Sequence, residues 1–578
     1  MKKLSLKPLG IFIGMALAGS ASALTMDFSG TNFYMKFLDG NQYAANTGSI
    51  DTNSGSDQGQ FSEMNLIFKA TISPQVEAGG RIQSRSSAAY WTDFGGWGSG
   101  ATTNAYNDTK FMKLRGAYAE LTPGYSWLSN IHIGTSDWGM FDPFTVGKVR
   151  YIDRDNYNGF YFKGPISSGS TWELARISLP NYLQFNWGQG PCIPGCGTDN
   201  SQYNEAVYIA QVKVPIQRVK LAGSYQVFND HALSGTGSYT GQNTADFYRD
   251  TVGALKAEGS PSDALDMRGA LYWSKSAPIE GVYGQGWGNS PAGKAIAKAF
   301  KLDMDWTTPA DGLTFNFQYF NIGAGYYSNV AARRESDVLL TEGTESAWYN
   351  WGNPLWSGGA AATYTQSASN GPVTDNGFMD FDESPAQSAV GWKGLTAVGK
   401  LDVANSPMSL ELTGIGYNNN WQGYSASGPL ANLYAANQDR QTRIAVFKFN
   451  HNFPVMGGLD TNLKIKSVWD KDYKIKTDPT DDRGVYDKGV TLSAGNQLAG
   501  QLYGTLSYGR YFHNIKAGGI PFNNAKNIYS LKLAYNLPGF EFGMLTQWIK
   551  GRGNPTETVG LDQNIQQYRM KAYAQVNF

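Results

Sequence analysis

The sequence predicts an all-β fold, a closed antiparallel barrel whose strands cross a membrane. Three observations predict it. Glycine and aromatic residues are abundant, with 69 Gly and 14% aromatic residues, whereas only 16% of the 578 residues are charged. Short segments alternate between apolar and polar residues with a period of two, which is the period of a strand. These segments are joined alternately by short turns and long polar stretches, as in bacterial membrane barrels.

The composition argues against several other classes of protein. Lys and Arg together number 47, as do Asp and Glu, so the charge gives no reason to expect a nucleic acid as partner. A helical membrane protein needs apolar runs of about 20 residues, and no such run follows the first two dozen positions. The abundance of aromatic residues and the absence of net charge also argue against disorder.

Residues 1–23 have the pattern of a secretory signal peptide. Three lysines precede the apolar run 9–17, and the small residues at 21–23 fit a cleavage site. The apolar run is too short to span a bilayer. We therefore expect an exported mature chain, 24–578, that forms one barrel with its loops.

The alternation is clearest in the last segment, where one face is apolar or aromatic and the other is polar. A helix would mix these two sets, whereas a strand separates them. The first set is Tyr568, Met570, Ala572, Ala574, Val576 and Phe578, and the second is Gln567, Arg569, Lys571, Tyr573, Gln575 and Asn577. The same separation recurs at 63–72, 313–319, 463–466 and 529–536.

The connections between these segments have two sizes. Short turns with Pro or Gly are expected at 73–74, 123–124, 215–217, 406–407, 454–458 and 538–539. Long polar loops are expected at 84–109, 229–263, 323–390 and 418–440. Short periplasmic turns, long outer loops and periplasmic termini require an even strand number. We predict about 16–22 strands of ~10 residues, including segments near 279–285 and 490–496, closed into a ring because open edges in lipid are costly.

Charged side chains on the predicted lipid face are few, and they lie mostly near the ends of segments. There a long cationic side chain can reach the interface. The four cations concerned are Lys298, Arg443, Arg510 and Lys550. Arg176 departs from this pattern because it shares a face with Trp172 and Leu174, and either a β-bulge or a different register would account for it.

These features together resemble the porin-type outer-membrane β-barrels of Gram-negative bacteria. The resemblance is architectural, covers 24–578, and includes the aromatic Phe578 that ends the last strand. It implies an outer-membrane location, contact with lipid, and recognition of the C-terminal strand by the barrel-assembly machinery. It also implies a passive channel for small hydrophilic solutes, with no enzymatic activity and no cofactor. Porins are often homotrimers, so the resemblance also implies a homotrimer as one oligomeric state of this chain.

The predicted inward face carries about twice as many basic as acidic side chains. Cationic walls raise the local concentration of anions, so we expect a mild preference for anionic solutes. The alternative is that these charges pair with each other and solvate the wall. The candidate pore-lining residues are Arg81, Arg85, Lys113, Arg115, Lys220, Arg268, Lys464, Lys466, Arg569 and Lys571.

The third outer loop, 136–156, is a candidate constriction. In general porins the third loop follows the fifth strand and folds inward, and this loop has the same ordinal place. By that resemblance its acids would face Arg81 and the neighbouring basic wall. Its charged candidates are Asp137, Asp142, Asp153, Arg154 and Asp155. The loop 323–390 is a rival plug because it is far longer than ordinary connections, and a plain surface loop is the remaining alternative.

The sequence offers little evidence of metal or covalent chemistry. Its two cysteines, Cys192 and Cys196, are predicted to form a local disulfide because the chain is exported. The four histidines are scattered, and no metal site is predicted. Two other functions stay open: a structural sheath or partner barrel of an outer-membrane complex, and an outer-membrane enzyme. An enzyme would need a nucleophile and a base in contact, and no strand face shows such an arrangement.

Overall fold

The computed structural model describes most of the strands and part of the connections. The described residues are 25–46, 56–85, 111–146, 158–179, 205–230, 249–277, 297–323, 339–343, 392–418, 441–472, 483–553 and 563–577, with 326, 328 and 559, less 29, 137, 139, 140, 168, 311, 405, 456 and 518. Among them there is no helix with the length and hydrophobicity of a membrane span.

All regular structure in the described residues is β-strand apart from single turns. The first twelve strands are β1 (Thr25–Asp27), β2 (Asn32–Asn46), β3 (Ser56–Ser73), β4 (Val76–Arg85), β5 (Phe111–Leu121), β6 (Asn130–Thr135), β7 (Asn158–Pro165), β8 (Thr171–Leu179), β9 (Glu205–Ile216), β10 (Val219–Asp230), β11 (Arg249–Ser262) and β12 (Leu265–Ala277). The others are β13 (Ala297–Thr307), β14 (Leu313–Ile322), β15 (Trp392–Val403), β16 (Ser406–Tyr417), β17 (Gln441–Phe453), β18 (Leu459–Asp472), β19 (Arg483–Ala499), β20 (Leu502–Ala517), β21 (Ile520–Leu537), β22 (Phe540–Gly553) and β23 (Gln563–Asn577).

The strands form one closed antiparallel ring. Each strand from β2 to β23 pairs with its neighbours in sequence, and β2 pairs with β23 from Asn32 opposite Asn577 to Asn46 opposite Gln563. The ring therefore has 22 strands. The short β1 lies outside it, on β3, with Thr25 opposite Thr71. The predicted even number is confirmed, at the upper limit of the predicted range.

The two ends of the ring differ in the length of their connections. At the end where β2 begins and β23 finishes, the ten connections span two to eight residues each. At the other end most connections are much longer, up to the segment between β14 and β15, although β20 and β21 are joined by only two residues. This asymmetry assigns the first end to the periplasm and the second to the outside.

Three expected connections differ from the structure. The stretch 229–263 contains a strand, β11, whose alternation is weak because small residues such as Gly253 and Ala257 stand on its outward face. Pro215 and Ser406 belong to strands rather than to turns, and the turns follow and precede them by one or two residues. The predicted strand near 279–285 lies outside the described residues, whereas 490–496 is part of β19.

The two faces of the wall have different chemistry. The outward face exposes large apolar side chains, for example Leu255 at 55%, Leu506 at 65% and Leu412 at 54%. Arg176 is on this face too, in an unbroken register with Tyr208, whose ring it covers at 5.9 Å. The pairing of β8 with β7 and β9 is continuous, so neither a β-bulge nor a different register accounts for Arg176. Its guanidinium instead contacts the ring of Tyr208 and donates a hydrogen bond to the hydroxyl of Ser178.

The main hydrophobic cluster lies on the inward face rather than in a separate core. Side chains from β11 to β18 form it, and residues of the outer loops cover it. We call it the inner apolar cluster. Its members are Phe144, Val252, Ala254, Tyr272, Ala299, Phe320, Ile322, Tyr326, Leu339, Trp392, Ile415, Ile444, Val446 and Val468. A wet lumen would not favour so many apolar side chains, so loop segments must shield them.

Candidate functional site

Two outer connections enter the lumen and contact the same inner wall. One is the third outer connection, which follows β6, the fifth strand of the ring, and is described as far as Val146. The other is the connection from β14 to β15, of which Tyr326, Ser328 and residues 339–343 are described. Phe144, Tyr326 and Leu339 are members of the inner apolar cluster. Both segments therefore occupy space inside the ring, beside the wall β11–β18.

Asp142 fixes the first segment to the wall by charge. Its carboxylate lies 2.6 Å from Nζ of Lys256 on β11 and accepts a hydrogen bond of 2.8 Å from the hydroxyl of Tyr272 on β12. The other carboxylate oxygen accepts the backbone N–H of Phe144 at 2.8 Å, which closes a tight turn. Asp142 thus binds two strands and its own loop at once.

Aromatic packing fixes the same segment next to Asp142. The ring of Phe144 stacks on Tyr326 with centroids 4.9 Å apart and packs against Tyr272 at 4.8 Å. Nζ of Lys301 lies 5.7 Å from the centroid of Phe144, within the range of a cation–π contact. Aromatic pairs of this geometry add about 0.5–1.5 kcal/mol beyond the area that they bury.

Hydrogen bonds also join the two loop segments to each other. The hydroxyl of Tyr326 donates to the carbonyl of Phe144 at 3.2 Å, and the hydroxyl of Ser328 donates to the carbonyl of Thr145 at 2.6 Å. Gln226 on β10 donates to Ser328 at 3.4 Å. The two connections therefore dock as one unit, although more than 180 residues separate them in sequence.

Glu342 anchors the second segment further around the ring. Lys448 on β17 and Lys464 on β18 face each other across the strand pair, and both ammonium groups contact the carboxylate of Glu342, the latter at 2.8 Å. Lys466 donates to the carbonyl of Glu342 at 3.3 Å. Like charges directly opposite each other destabilise a sheet, so the carboxylate removes a repulsion as well as fixing the loop.

The backbone beside Glu342 is held by two further side chains of the wall. Glu411 on β16 accepts hydrogen bonds from the hydroxyl of Thr341 at 2.7 Å and from the N–H of Glu342 at 3.1 Å. Gln318 on β14 accepts the N–H of Leu340 at 2.7 Å. Three consecutive residues, Leu340, Thr341 and Glu342, are therefore bonded to the inward faces of four strands, β14, β16, β17 and β18.

Both loop carboxylates are ionised at neutral pH. Burial opposes the ionisation of Asp142, but the charges of Lys256 and Lys301 and the Phe144 N–H outweigh it and hold its pKa below the ordinary value. Burial likewise opposes the ionisation of Glu342, and the charges and hydrogen bonds of Lys464 and Lys448 lower its pKa to about 2. The contacts of Asp142 and Glu342 with the lysines of the wall are thus ion pairs over the physiological pH range.

The structure places five of the ten candidate pore-lining side chains on the inward face. Arg81 donates from Nε and Nη2 to Asn65 at 2.9 and 2.7 Å. Lys220 lies 3.2 Å from Glu258, and Arg268 lies 2.5 Å from Asp305. Lys464 and Lys466 belong to the Glu342 anchor described above. Each of these five side chains therefore has a polar or acidic partner on the wall or on a docked loop.

The remaining candidates are only partly described. The backbone positions of Arg85, Lys113, Arg115, Arg569 and Lys571 are in β4, β5 and β23, and their side chains lie outside the described residues. Asp137, Asp153, Arg154, Asp155 and both cysteines, Cys192 and Cys196, also lie outside them. Asp142 contacts Lys256 on β11, not the Arg81 wall, which is at least six strands away around the ring.

Sequence reasoning missed the residues that anchor the loops. Lys256 was hidden because its strand was expected to be part of a loop, although Lys256 and Glu258 alternate with Leu255 and Ala257. Glu342 had no signal at all, because a loop residue has no periodicity and its partners are about a hundred residues away. The acids Glu120, Glu173, Glu258, Asp460, Asp470 and Asp487 on the inward face were also missed.

Other chemistry-bearing contacts in the described residues are sparse. The hydroxyl of Ser406 lies 2.6 Å from Nδ1 of His451 near the periplasmic end of β16 and β17, and no described carboxylate contacts that imidazole. A serine hydrolase holds its histidine with such a group. In the part of the chain that the structure describes, no three His, Cys, Asp or Glu side chains are grouped so that they could hold a metal ion.

No family model and no curated protein sequence matches the chain. Among solved structures it is similar to OpdK of Pseudomonas aeruginosa, crystallised with vanillate, with 9% identity over 97% of this chain and 100% of that chain, at a TM-score of 0.31. OccAB4 of Acinetobacter baumannii is 12% identical over 96% and 99%, with a TM-score of 0.33. OmpF of Salmonella typhi, in a complex with daunomycin, is 9% identical over 73% and 96%, with a TM-score of 0.30.

TM-scores of this size mean that the strands do not superpose closely, so the assignment rests on the geometry of this chain itself. The ring is closed, has an even number of strands, and exposes an apolar outer face between short and long connections. Only closed barrels and helices satisfy the backbone in lipid. The chain therefore has the architecture of a porin-type outer-membrane barrel, and its location is the outer membrane.

Proposed function

We propose that this barrel is a passive diffusion channel for small hydrophilic solutes, narrowed by the two docked loop segments. The observation that carries the proposal is the two sets of ion pairs that fix these segments inside the ring, Asp142 with Lys256 and Glu342 with Lys448 and Lys464. A ring of 22 strands is wider than its own side chains can fill. Segments fixed on one side of such a lumen constrict it.

A mild preference for anions is the finer part of this proposal. Basic and acidic side chains of the inward face pair at several places, as Lys220 does with Glu258 and Arg268 with Asp305, so the wall as a whole favours neither sign strongly. The Glu342 anchor differs, because Lys448, Lys464 and Lys466 outnumber the two carboxylates of Glu342 and Glu411 that contact them or their loop. Charge imbalance at a narrow point biases permeation more than charge elsewhere in the pore.

Planar-bilayer recording tests the proposal. The purified barrel is expected to give ohmic single channels without added energy, and a KCl gradient is expected to give a small reversal potential of the sign that anion preference requires. Absence of conductance from folded protein contradicts the channel. A reversal potential of the opposite sign contradicts the anion preference alone.

Two partner proposals accompany the channel. We propose that β23 is recognised by the barrel-assembly machinery, since it must pair with β2 to close the ring. We also propose a homotrimer, which analytical ultracentrifugation in a density-matched detergent distinguishes from a monomer. A sheath or partner barrel predicts instead an obligate co-purifying protein in the lumen and little conductance.

A further inference from the structure

Three tyrosine rings lie against the inward wall near its periplasmic end, each over a glycine of the preceding strand. A β-carbon on any of these glycines would overlap the ring, so only glycine leaves room for it. Each tyrosine hydroxyl also donates a hydrogen bond of 2.5–3.3 Å to a carboxylate of the same wall. The three sets are Tyr118 over Gly79 with Glu77, Tyr503 over Gly495 with Asp460, and Tyr573 over Gly543 with Glu541.

A tyrosine held in this way has one ring face on the wall and the other towards the lumen. All three side chains are half-buried, and the carboxylate fixes the position of each hydroxyl. A ring with a fixed orientation loses little entropy when a solute packs on it. Aromatic cover of a glycine is also ordinary sheet packing, so a binding site requires further polar groups beside the ring.

Such polar groups stand together on β18–β22, in one register row of the inward face. The row has a neutral hydrogen-bonding side chain on each of these five strands, and we call it the inner polar row. Neighbouring strands are about 4.8 Å apart, so several hydroxyl groups of one solute can contact the row at once. Its members are the exposed Asn462, the half-buried Ser493, Ser507 and Ser530, and the buried Gln547.

Two of the tyrosine rings lie on the periplasmic side of the inner polar row. Tyr503 and Tyr573 share a register row three strands apart, with only Ala534 and Gly543 between them. Ser507 is four residues further along β20 than Tyr503. At about 3.3 Å per residue and about 4.8 Å per strand, the area between the rings and the row measures roughly 13 by 14 Å. An area of this size fits a short oligosaccharide.

Gln547 gives an independent indication that the row takes a ligand. It is 2% exposed, and its Nε2 donates to Oγ of Ser530 at 3.2 Å. Its Oε1 is buried and has no hydrogen-bond partner in the part of the chain that the structure describes. An unpaired buried acceptor is costly, and a hydroxyl donor at this end of the row removes that cost. Because Ser530 accepts the bond from Gln547, its own proton can be donated to the same solute.

The area lies beside the two docked connections. Their described contacts with the wall run from Gln226 on β10 to Lys464 and Lys466 on β18, whereas the two rings and the row lie on β18–β23. Asn462 is two residues from Lys464 on β18, so the row begins next to the Glu342 anchor. A solute that passes the constriction therefore meets the row directly.

We propose that Tyr503, Tyr573 and the inner polar row bind neutral polyhydroxylated solutes, with short oligosaccharides as the class. The C–H faces of a sugar ring pack on the tyrosine rings, whose faces carry partial negative charge. The hydroxyl groups of the sugar bond to Ser507, Ser530 and Gln547, which offer both donors and acceptors. No member of the row is charged, so the site selects hydroxyl groups rather than ions. This inference rests on the proposed channel, because the solute reaches the site through the lumen.

The test measures binding without current, by saturation-transfer NMR on the purified full-length barrel in a polyoxyethylene detergent, which has no sugar head group. The probes are maltotriose and permethylated maltotriose, which has the same rings and no hydroxyl groups. Only maltotriose is expected to bind, since a site built for hydroxyl groups rejects an analogue that lacks them. Ser507→Ala/Ser530→Ala is expected to raise the Kd for maltotriose about tenfold, because each lost neutral hydrogen bond is worth about threefold.

Tyr503→Leu removes one aromatic face and is expected to raise the Kd about three- to tenfold. Its matched control is Tyr118→Leu, which removes a ring of the same kind that lies over Gly79, away from the row, and stacks on His132 at 5.7 Å. The control for the serines is Ser224→Ala/Ser409→Ala, two half-buried inward residues of β10 and β16. Each control is expected to change the Kd less than about twofold.

Three outcomes overturn the proposal: no binding of maltotriose, equal binding of the two probes, or an equal rise of the Kd in the site variants and their controls. All variants are first checked for folding by their heat-modifiable migration in gels. If the double serine variant does not fold, Ser530→Ala replaces it, with an expected rise of about threefold. Absence of conductance from a barrel that binds maltotriose contradicts the channel and not this site.

Discussion

A single carboxylate in a loop, that of Glu342, makes a like-charged pair of lysines tolerable in the wall. Lys448 and Lys464 stand opposite each other on β17 and β18, a placement that repulsion disfavours. The attraction of both ammonium groups to the carboxylate of Glu342 offsets that repulsion. Glu342 therefore determines both the position of the loop and the net charge of this part of the lumen.

Replacing Glu342 with Gln is expected to increase both anion selectivity and current noise. The change removes one negative charge beside three lysines and releases the loop from two ion pairs. Single-channel recordings in a KCl gradient measure the reversal potential and the open-channel noise. The matched control is Glu258→Gln, which removes a wall carboxylate from Lys220 without touching a loop. An equal rise of noise in both variants would contradict the loop assignment.

The pH dependence of the same anchor has a defined window. The pKa of Glu342 is lowered from 4.5 to about 2, so its ionised form stabilises docking above pH 4.5, and this contribution is lost as the pH falls from 4.5 towards 2. A shift of this size is worth roughly 3 kcal/mol. We expect the conductance to be constant from pH 7 to 5 and to rise below about pH 3. A transition near pH 6 would show that another group controls the loop.

Removing the ring of Phe144 tests how the third outer connection is docked on the wall. Phe144→Ala abolishes the stacking with Tyr326 and the contact with Tyr272, and large-to-small changes of buried Phe cost about 3–5 kcal/mol. The third loop is expected to undock, so the single-channel conductance should rise while the barrel still folds. Phe141→Ala is the control, since Phe141 packs on Tyr161 of β7 outside the inner apolar cluster.

At the scale of elements, the two docked connections form one unit inside the ring rather than two separate alternatives. The sequence presented 136–156 and 323–390 as alternatives, whereas Tyr326 and Ser328 bond to Phe144 and Thr145. Their partnership could not be read from the sequence, because contacts between loops follow no period. The strands could be read, because lipid on one side and water on the other impose alternation on every residue.

Shortening the longer connection is expected to weaken the shorter one. Deletion of 324–391 with a short Gly/Ser linker removes Tyr326, Ser328 and Glu342, and leaves the pairing of β14 with β15 intact. Conductance is expected to rise by more than deletion of 136–157 alone produces, because the longer connection also blocks the wall at β16–β18. Equal conductance of the two deletions would show that the longer connection adds nothing.

At the scale of the whole molecule, the ring is closed by the pairing of its first strand, β2, with its last strand, β23. The pairing of β2 and β23 extends over fifteen residues on each strand. Deleting 563–578 leaves β2 and β22 as open edges, each of which would present unpaired backbone groups to lipid. We expect no heat-modifiable folded band from this variant after refolding in detergent. A normal band would contradict the closed ring.

The even strand number, the closure and the alternating connections followed from the sequence, because each depends on local patterns such as that of 567–577. The exact ends of strands did not, as β11 shows. Its outward face carries Gly253, over which Trp273 of the neighbouring strand lies, so a side chain from elsewhere supplies the hydrophobicity that this strand lacks. The hydrophobicity pattern of a single segment does not show that a side chain of the neighbouring strand covers it.

The meeting of β2 and β23 has a consequence for biogenesis. More than 500 residues of synthesis separate the two strands, so the earlier one reaches the periplasm long before its mate. Each doubling of a closing loop costs only about 0.6 kcal/mol of entropy, which makes the wait a kinetic hazard and not a thermodynamic one. During that interval the unpaired edge of β2 is available for aggregation with other unfolded chains. We therefore expect the amount of folded barrel in the cell to depend on holdase chaperones more than on the stability of the folded barrel.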